Sequence, residues 1–152
     1  MFRKLIATSD NSGVTMVRLV LGVIFFFHGA QKMLGWFGGY GFSGTMNFFT
    51  HQMGIPAVFA FLAIAAEFFG SLGLILGFLT RVAAAGIIVN MVVAILMVHG
   101  ANGIFMNWSG KQKGEGFEYH LLTIAIGIAL VIRGAGAYSI DRMIGQGDKG
   151  ST

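Results

Sequence analysis

The chain has 152 residues, of which 55% are hydrophobic and only 11% charged, and it contains no Cys. Soluble domains carry roughly a quarter charged residues, so this balance argues against an ordinary globular enzyme and points to a membrane protein. The missing thiols exclude disulfides, thiolate metal sites, iron–sulfur clusters and covalent c-type haem. The net charge of +4 rests on few basic residues beside apolar segments. That pattern fits orientation in a bilayer rather than nucleic-acid binding.

In chain order, residues 1–13 form a polar N-terminal tail with Arg3, Lys4 and Asp10. The apolar run behind it is long, carries His28 and Lys32 and lacks a small-x-small cleavage site, so an uncleaved helix is expected. Membrane spans are predicted at 14–34, 57–79, 82–98 and 119–132. About 20 residues cross the hydrocarbon layer. The first two spans meet that length, the third reaches it with His99, and the fourth does so once 133–138 are added, where Arg133 snorkels. Thr80-Arg81 is read as a tight turn between spans two and three. The expected fold class is therefore all-α, an integral membrane four-helix bundle over 14–142 followed by a flexible tail, 143–152.

Arg3, Lys4, Arg18, Arg81, Arg133, Arg142 and Lys149 gather on one side of this arrangement, against Lys32, Lys111 and Lys113 on the other. The excess places both termini in the cytoplasm of a multi-pass inner-membrane protein. Residues 35–56 and 100–118 then face outward, with Trp36, Tyr40, Trp108 and Tyr119 as an aromatic belt. The first of these loops is expected to lie in the interface and the second to fold over the bundle as a lid.

Ala63, Ala66, Gly70, Gly73 and Gly77 form a small-residue stripe on the second span, which marks a helix contact. Glu67 borders it. At a rise of about 1.5 Å per residue, His28 and Glu67 each stand roughly 21 Å above the cytoplasmic boundary and Asn90 about 14 Å. Gln31, Lys32, His99 and His120 lie above them. A charge in mid-membrane costs at least ~2.5–3.5 kcal/mol, so Glu67 should pair with His28 or Lys32, or carry a proton. Convergence of these groups in the outer half predicts an outward-facing polar cavity, whereas Arg18 reads as an inner anchor and His51 as an interfacial loop residue. The bland alternative is that the same groups only hydrogen-bond the helices together.

His28, His99, His120 and Glu67 have ligand chemistry for a metal, and the outer-half histidines could hold a b-type haem. No local motif spacing supports either, and Lys32 would oppose a cation. Ser43 and Ser109 are turn serines among glycines, and the Gly-rich stretch after Trp36 lacks the ending of a phosphate loop. A quinone-like molecule suits the residues better, because its oxygens need donors from His, Gln or Lys and its protons need a carboxylate or imidazole.

The segments RLVLGVIFFFHGAQKMLGWFGGYG, AEFFGSLGLILGFLTR, GANGIFMNW, GEGFEYHLL and GAGAYSIDRMIG resemble, in that order, the DoxX family of small membrane proteins. The resemblance implies four helices in the inner membrane and quinone-linked redox chemistry with a soluble or membrane partner protein. It carries the family's recurring polar positions onto His28, Gln31, Lys32, Glu67, Asn102, Gly103, Glu118 and Asp141. The expectation is thus a quinone-linked redox subunit in which Glu67 and His28 handle protons, with Gln31, Lys32, Asn90, His99 and His120 around the ligand. A small-metabolite carrier and a structural anchor of a redox complex are the alternatives. Burial of several polar groups by four short helices would also favour a homo-oligomer.

Overall fold

A computed structural model describes residues 2–147. Among them the chain forms α1 (Phe2–Ile6), α2 (Ser12–Leu34), α3 (Gly41–Asn47), α4 (Ala57–Leu76), α5 (Thr80–Ala94), α6 (Glu118–Arg133) and α7 (Ile140–Gly147). A π-helical turn, Phe48–Gln52, extends α3, and another, Ile95–His99, carries α5 on to a 3-10 turn at Gly100–Asn102. Three stretches are long and apolar enough to cross a membrane: Ser12–Leu34, Ala57–Leu76 and Thr80–Asn102. The fourth long helix, α6, has only 16 residues, or about 24 Å of rise, against a hydrocarbon layer of about 30 Å.

Local chemistry sets the ends. Asn11 accepts a hydrogen bond from the Val14 amide through its side chain, so α2 starts two residues earlier than its apolar run. Gly35 ends it in a left-handed conformation, φ 74°. Pro56 precedes α4, where its missing N–H is of no consequence.

The α4–α5 turn falls at Gly77–Leu79, just before the expected Thr80-Arg81, and Thr80 is the first residue of α5. Gly77 has φ 66°, and a Cβ there would stand 2.4 Å from Ser139 Cβ, so only glycine fits. Leu79 is also left-handed, at φ 47°, a strained state for a branched side chain. The Asp141 carboxylate accepts from the amides of Leu79 and Thr80 at 2.8 and 3.0 Å, and the Asp141 amide donates to Gly77 O at 2.9 Å. Asp141 thereby holds the turn and caps α5.

The small-residue stripe of α4 does face a helix. Gly70 and Gly73 sit against Ala83 of α5, and Ala66 lies against Gly86. On the other side α4 packs on α2, where Gly22 meets Leu74 and Ile75. Gly127 of α6 fits against Ile88 of α5. Leu21, Phe25, Leu74, Ala84, Ile87 and Leu130 form the shared core. Val20, Val58, Leu62, Val89, Leu96 and Leu122 point outward and are exposed, a surface suited to acyl chains.

Arg18, read as an inner anchor, is 1% exposed inside the bundle. Its Nε donates to Ala135 O at 2.9 Å, one terminal nitrogen donates to Leu74 O and to Ile75 O, and the other donates to Tyr138 O at 3.0 Å. The acceptors at Leu74 and Ile75 belong to the last turn of α4, where carbonyls run short of helical partners; Leu74 O also accepts from the Gly77 amide at 3.2 Å. Arg18 therefore clasps α2, the end of α4 and the 134–139 turn.

The expected polar tail before residue 14 contains α1, whose Ile6 is buried, and Thr8 exchanges hydrogen bonds with Gly136. Of the flexible tail expected over 143–152, residues 143–147 belong to α7 and 148–152 lie outside the described residues. Arg142 of α7 pairs with Asp10, so both ends of the described chain meet at the end of the bundle that holds Arg18.

Replacing Arg18 by Met should lower stability by about 3 kcal/mol or more, because several buried carbonyls lose their donor. Lys should recover only part, since one ammonium cannot reach both α4 and the 134–139 turn. Unfolding in detergent micelles measures the difference, and an Arg18→Met protein as stable as the parent would contradict it.

Candidate functional site

At the opposite end of the bundle α2 and α4 nearly touch. A Cβ on Gly29 would stand 2.7 Å from Phe68 Cα and 2.9 Å from the carbonyl carbon of Glu67, so glycine brings the backbones together at this level. One turn further along α2, Lys32 reaches across. Its Nζ donates to Glu67 Oε2 at 2.5 Å. Asn90 of α5 donates from Nδ2 to Ala63 O at 2.8 Å and stands 3.5 Å from Glu67 Oε1. Glu67 is only 7% exposed, and both of its oxygens face donors. Lys32 is the partner that the pairing expectation required. An ammonium has three donors, and Glu67 takes one of them.

This group opens on a cavity of about 390 Å³. Pockets for small organic ligands run from about 300 to 1,000 Å³, so the space is sufficient. All four long helices contribute: Phe25, His28 and Lys32 from α2, Ala63 and Glu67 from α4, Asn90, Met91 and Ala94 from α5, Tyr119 and His120 from α6. Both connecting loops close over it. Phe48, Phe49, Met53 and Ile55 come from the first, and Met106 and Glu115 from the second.

The second loop folds over the bundle by design of its polar groups. Glu118 accepts from the Met106 amide at 3.0 Å and from the Trp108 indole at 3.2 Å. Glu115 accepts from the Asn107 amide at 2.7 Å through its carboxylate, and its carbonyl accepts from Asn102 Nδ2 at 3.0 Å. Gly103, at φ 82°, makes the turn and accepts from the Phe117 amide. Asn102, Gly103 and Glu118 thus shape the lid, and Asp141 shapes the far end.

The remaining expected site residues separate. His28 lines the cavity with its ring 6.1 Å from that of Phe25, and no hydrogen bond joins it to Glu67. The π-helical turn after α5 swings His99 inward, and its ring centroid lies 4.2 Å from that of His120. His99 Nδ1 is 2.8 Å from Glu115 O, and because a carbonyl only accepts, this nitrogen carries the proton. Gln31 is not among the lining residues. Its amide donates to Phe37 O at 3.2 Å and steadies the turn at Trp36–Gly38, where Phe37 is left-handed. His51 sits in the first loop, exposed and 2.9 Å from Thr50 Oγ1.

Sequence reasoning passed over Met53, Met91, Met97 and Met106, which line the cavity, and Phe48 and Phe49, which roof it. Methionine and phenylalanine occur throughout this chain, so nothing in their spacing singled these out. No group of three or more His, Cys, Asp or Glu is placed to hold a metal ion among the described residues. The His99 and His120 rings are too close together for a porphyrin plane to lie between them.

A family model described as DoxX matches residues 13–100, more than half of the chain. The "Putative oxidoreductase CatD" of Bacillus subtilis (strain 168) is 29% identical over 141 residues, covering 93% of this chain and 93% of its own. The "Inner membrane protein YqjF" of Escherichia coli (strain K12) is 30% identical over 138 residues, covering 90% of this chain and 95% of its own. No solved structure matches the chain. With its apolar helices and its cavity under two loops, this chain belongs to the DoxX family of membrane proteins.

Proposed function

We propose that this chain is an inner-membrane subunit that binds a quinone-like ring in the cavity beside Lys32 and Glu67 and works with a redox partner protein. The observation that carries the reading is the Lys32–Glu67–Asn90 group, a hydrogen-bonded polar cluster that opens on a cavity whose remaining wall is mostly Phe, Met, Ala, Val and Ile, with His28, His99, Glu115, Tyr119 and His120 as its other polar members. Flat, lipid-soluble rings with polar edges are the chemical complement of such a wall. A spare Lys32 donor would hold a ring oxygen, while Glu67 and His28 would take up or release the proton that accompanies reduction or oxidation there. The electrons would come from, or go to, the partner. The oxidoreductase name of the Bacillus relative accords with this chemistry.

In the membrane, α6 would serve as a fourth span, lengthened by the 134–139 turn that Arg18 clasps. Both termini would lie in the cytoplasm with the basic end, and the cavity would open outward. The clasp also speaks against a carrier, since a fully buried guanidinium and its carbonyl partners fill the end through which a solute would have to leave. With no native Cys, single cysteines report topology cleanly. In intact cells a membrane-impermeant maleimide should label Ser109→Cys and spare Gln146→Cys; the reverse pattern would overturn the orientation.

Titration of detergent-solubilised protein with 2-methyl-1,4-naphthoquinone should show saturable binding. Lys32→Met should weaken it about tenfold or more, the usual scale for loss of a charged hydrogen-bond donor. No saturable binding by the parent, or equal affinity of the variant, would refute the ligand reading. The competing view, that Lys32 and Glu67 only tie α2 to α4, is separable by a double variant. Glu67→Gln alone strands an ammonium in a half-buried site and should be the less stable protein, whereas Glu67→Gln with Lys32→Met should recover stability. Quinone binding should stay weak in that stable double variant; recovery of binding along with stability would favour a purely structural pair.

A further inference from the structure

Resting on the quinone-like reading, we infer that the cavity has a second polar pole, made by His99 and His120, and that its ligand is a ring carrying oxygen functions on two edges. His120 lines the cavity at 7% exposure, and its Nδ1 is buried without a hydrogen-bond partner. Buried polar nitrogens in folded proteins almost always have partners; this one is closed off from the cavity as the ring stands, and a turn of the ring toward the cavity would give it one in a ligand oxygen.

The neighbouring imidazole has the matching chemistry. His99 spends its Nδ1 proton on the Glu115 carbonyl, which leaves its Nε2 lone pair as an acceptor in the neutral ring. The pair therefore offers donor and acceptor capacity side by side, and can meet either a carbonyl or a hydroxyl on the ligand. Its position is set by the π-helical turn Ile95–His99 and by the lid loop segment that brings Glu115 over the cavity.

The two poles lie at different heights. Asn90, which marks the Glu67 end, and His99 are nine positions apart on one continuous helical stretch, about 13 Å of backbone rise. Met91, Ala94 and Met97 line the wall between them. A ligand with a single oxygen would satisfy one pole and leave the other dry. A ring with oxygens on two edges places one toward Lys32 and the second toward His120, with its apolar body against the methionines.

The test compares two bicyclic probes, 2-methyl-1,4-naphthoquinone with two ring oxygens and 1-tetralone with one. The parent protein should bind the first at least tenfold more tightly. His120→Phe should bring the quinone down to the level of the ketone while leaving the ketone unchanged, and His120→Gln, which keeps a polar edge and guards against misfolding, should restore part of the difference. If both His120 variants retain the parent's preference while the Lys32→Met effect stands, the second pole is wrong and the first survives. If neither probe binds the parent protein, both readings fall.

Discussion

A guanidinium almost wholly buried, with no carboxylate hydrogen-bonded to it, decides the shape of this molecule. Arg18 donates to carbonyls in the last turn of α4 and in the turn after α6, where regular helical hydrogen bonding gives out. In lipid such carbonyls must find donors inside the protein. One side chain supplies them for two elements at once, and Asp141 then does the converse for the unpaired amides at the start of α5. The result is a bundle sealed at its basic end, with α1 and α7 laid against the seal.

That seal explains why the other end holds the cavity. The four long helices are tied together below, and above, side chains from two loops line the space between them. The Lys32–Glu67 pair sits where the helices begin to separate. A buried ion pair contributes little net stability against apolar replacements, because desolvation offsets most of the attraction. Its presence at the cavity floor is what the proposed ligand chemistry would call for. The cohesion of α2 and α4 already comes from Gly22 and Gly29, which let the backbones approach without any charge.

Much of this was legible from residue types and helical periodicity. The long helices fall within a few residues of their apolar runs, the small-residue stripe of α4 meets α5, and Glu67 finds Lys32. Those features follow from local spacing and from the cost of an unpaired charge in lipid. Gln31 shares a face with His28 and Lys32, yet its amide donates to the Phe37 carbonyl in the turn after Leu34, a partner no spacing rule announces. The clasp made by Arg18 was not legible because its partners are backbone carbonyls on two other segments, and carbonyls leave no mark in a sequence. The same holds for Asp141, Asn102 and Glu118, each recognised through resemblance but given its structural task only by the fold. The methionine wall was illegible for a different reason, since an apolar side chain looks the same whether it faces lipid or a cavity.

The central claim is that a ring-shaped ligand enters the space between the helices and does not merely dissolve in the surrounding bilayer. Photolabelling with an azido-1,4-naphthoquinone in proteoliposomes, followed by mass spectrometric mapping, tests it most directly. Labels confined to the cavity-lining segments around Phe48, Phe49 and Met91 to His99, and competed away by unlabelled quinone, are the expected result. Labels spread over the outward-facing Val20, Val58 and Leu122, without competition, would contradict it.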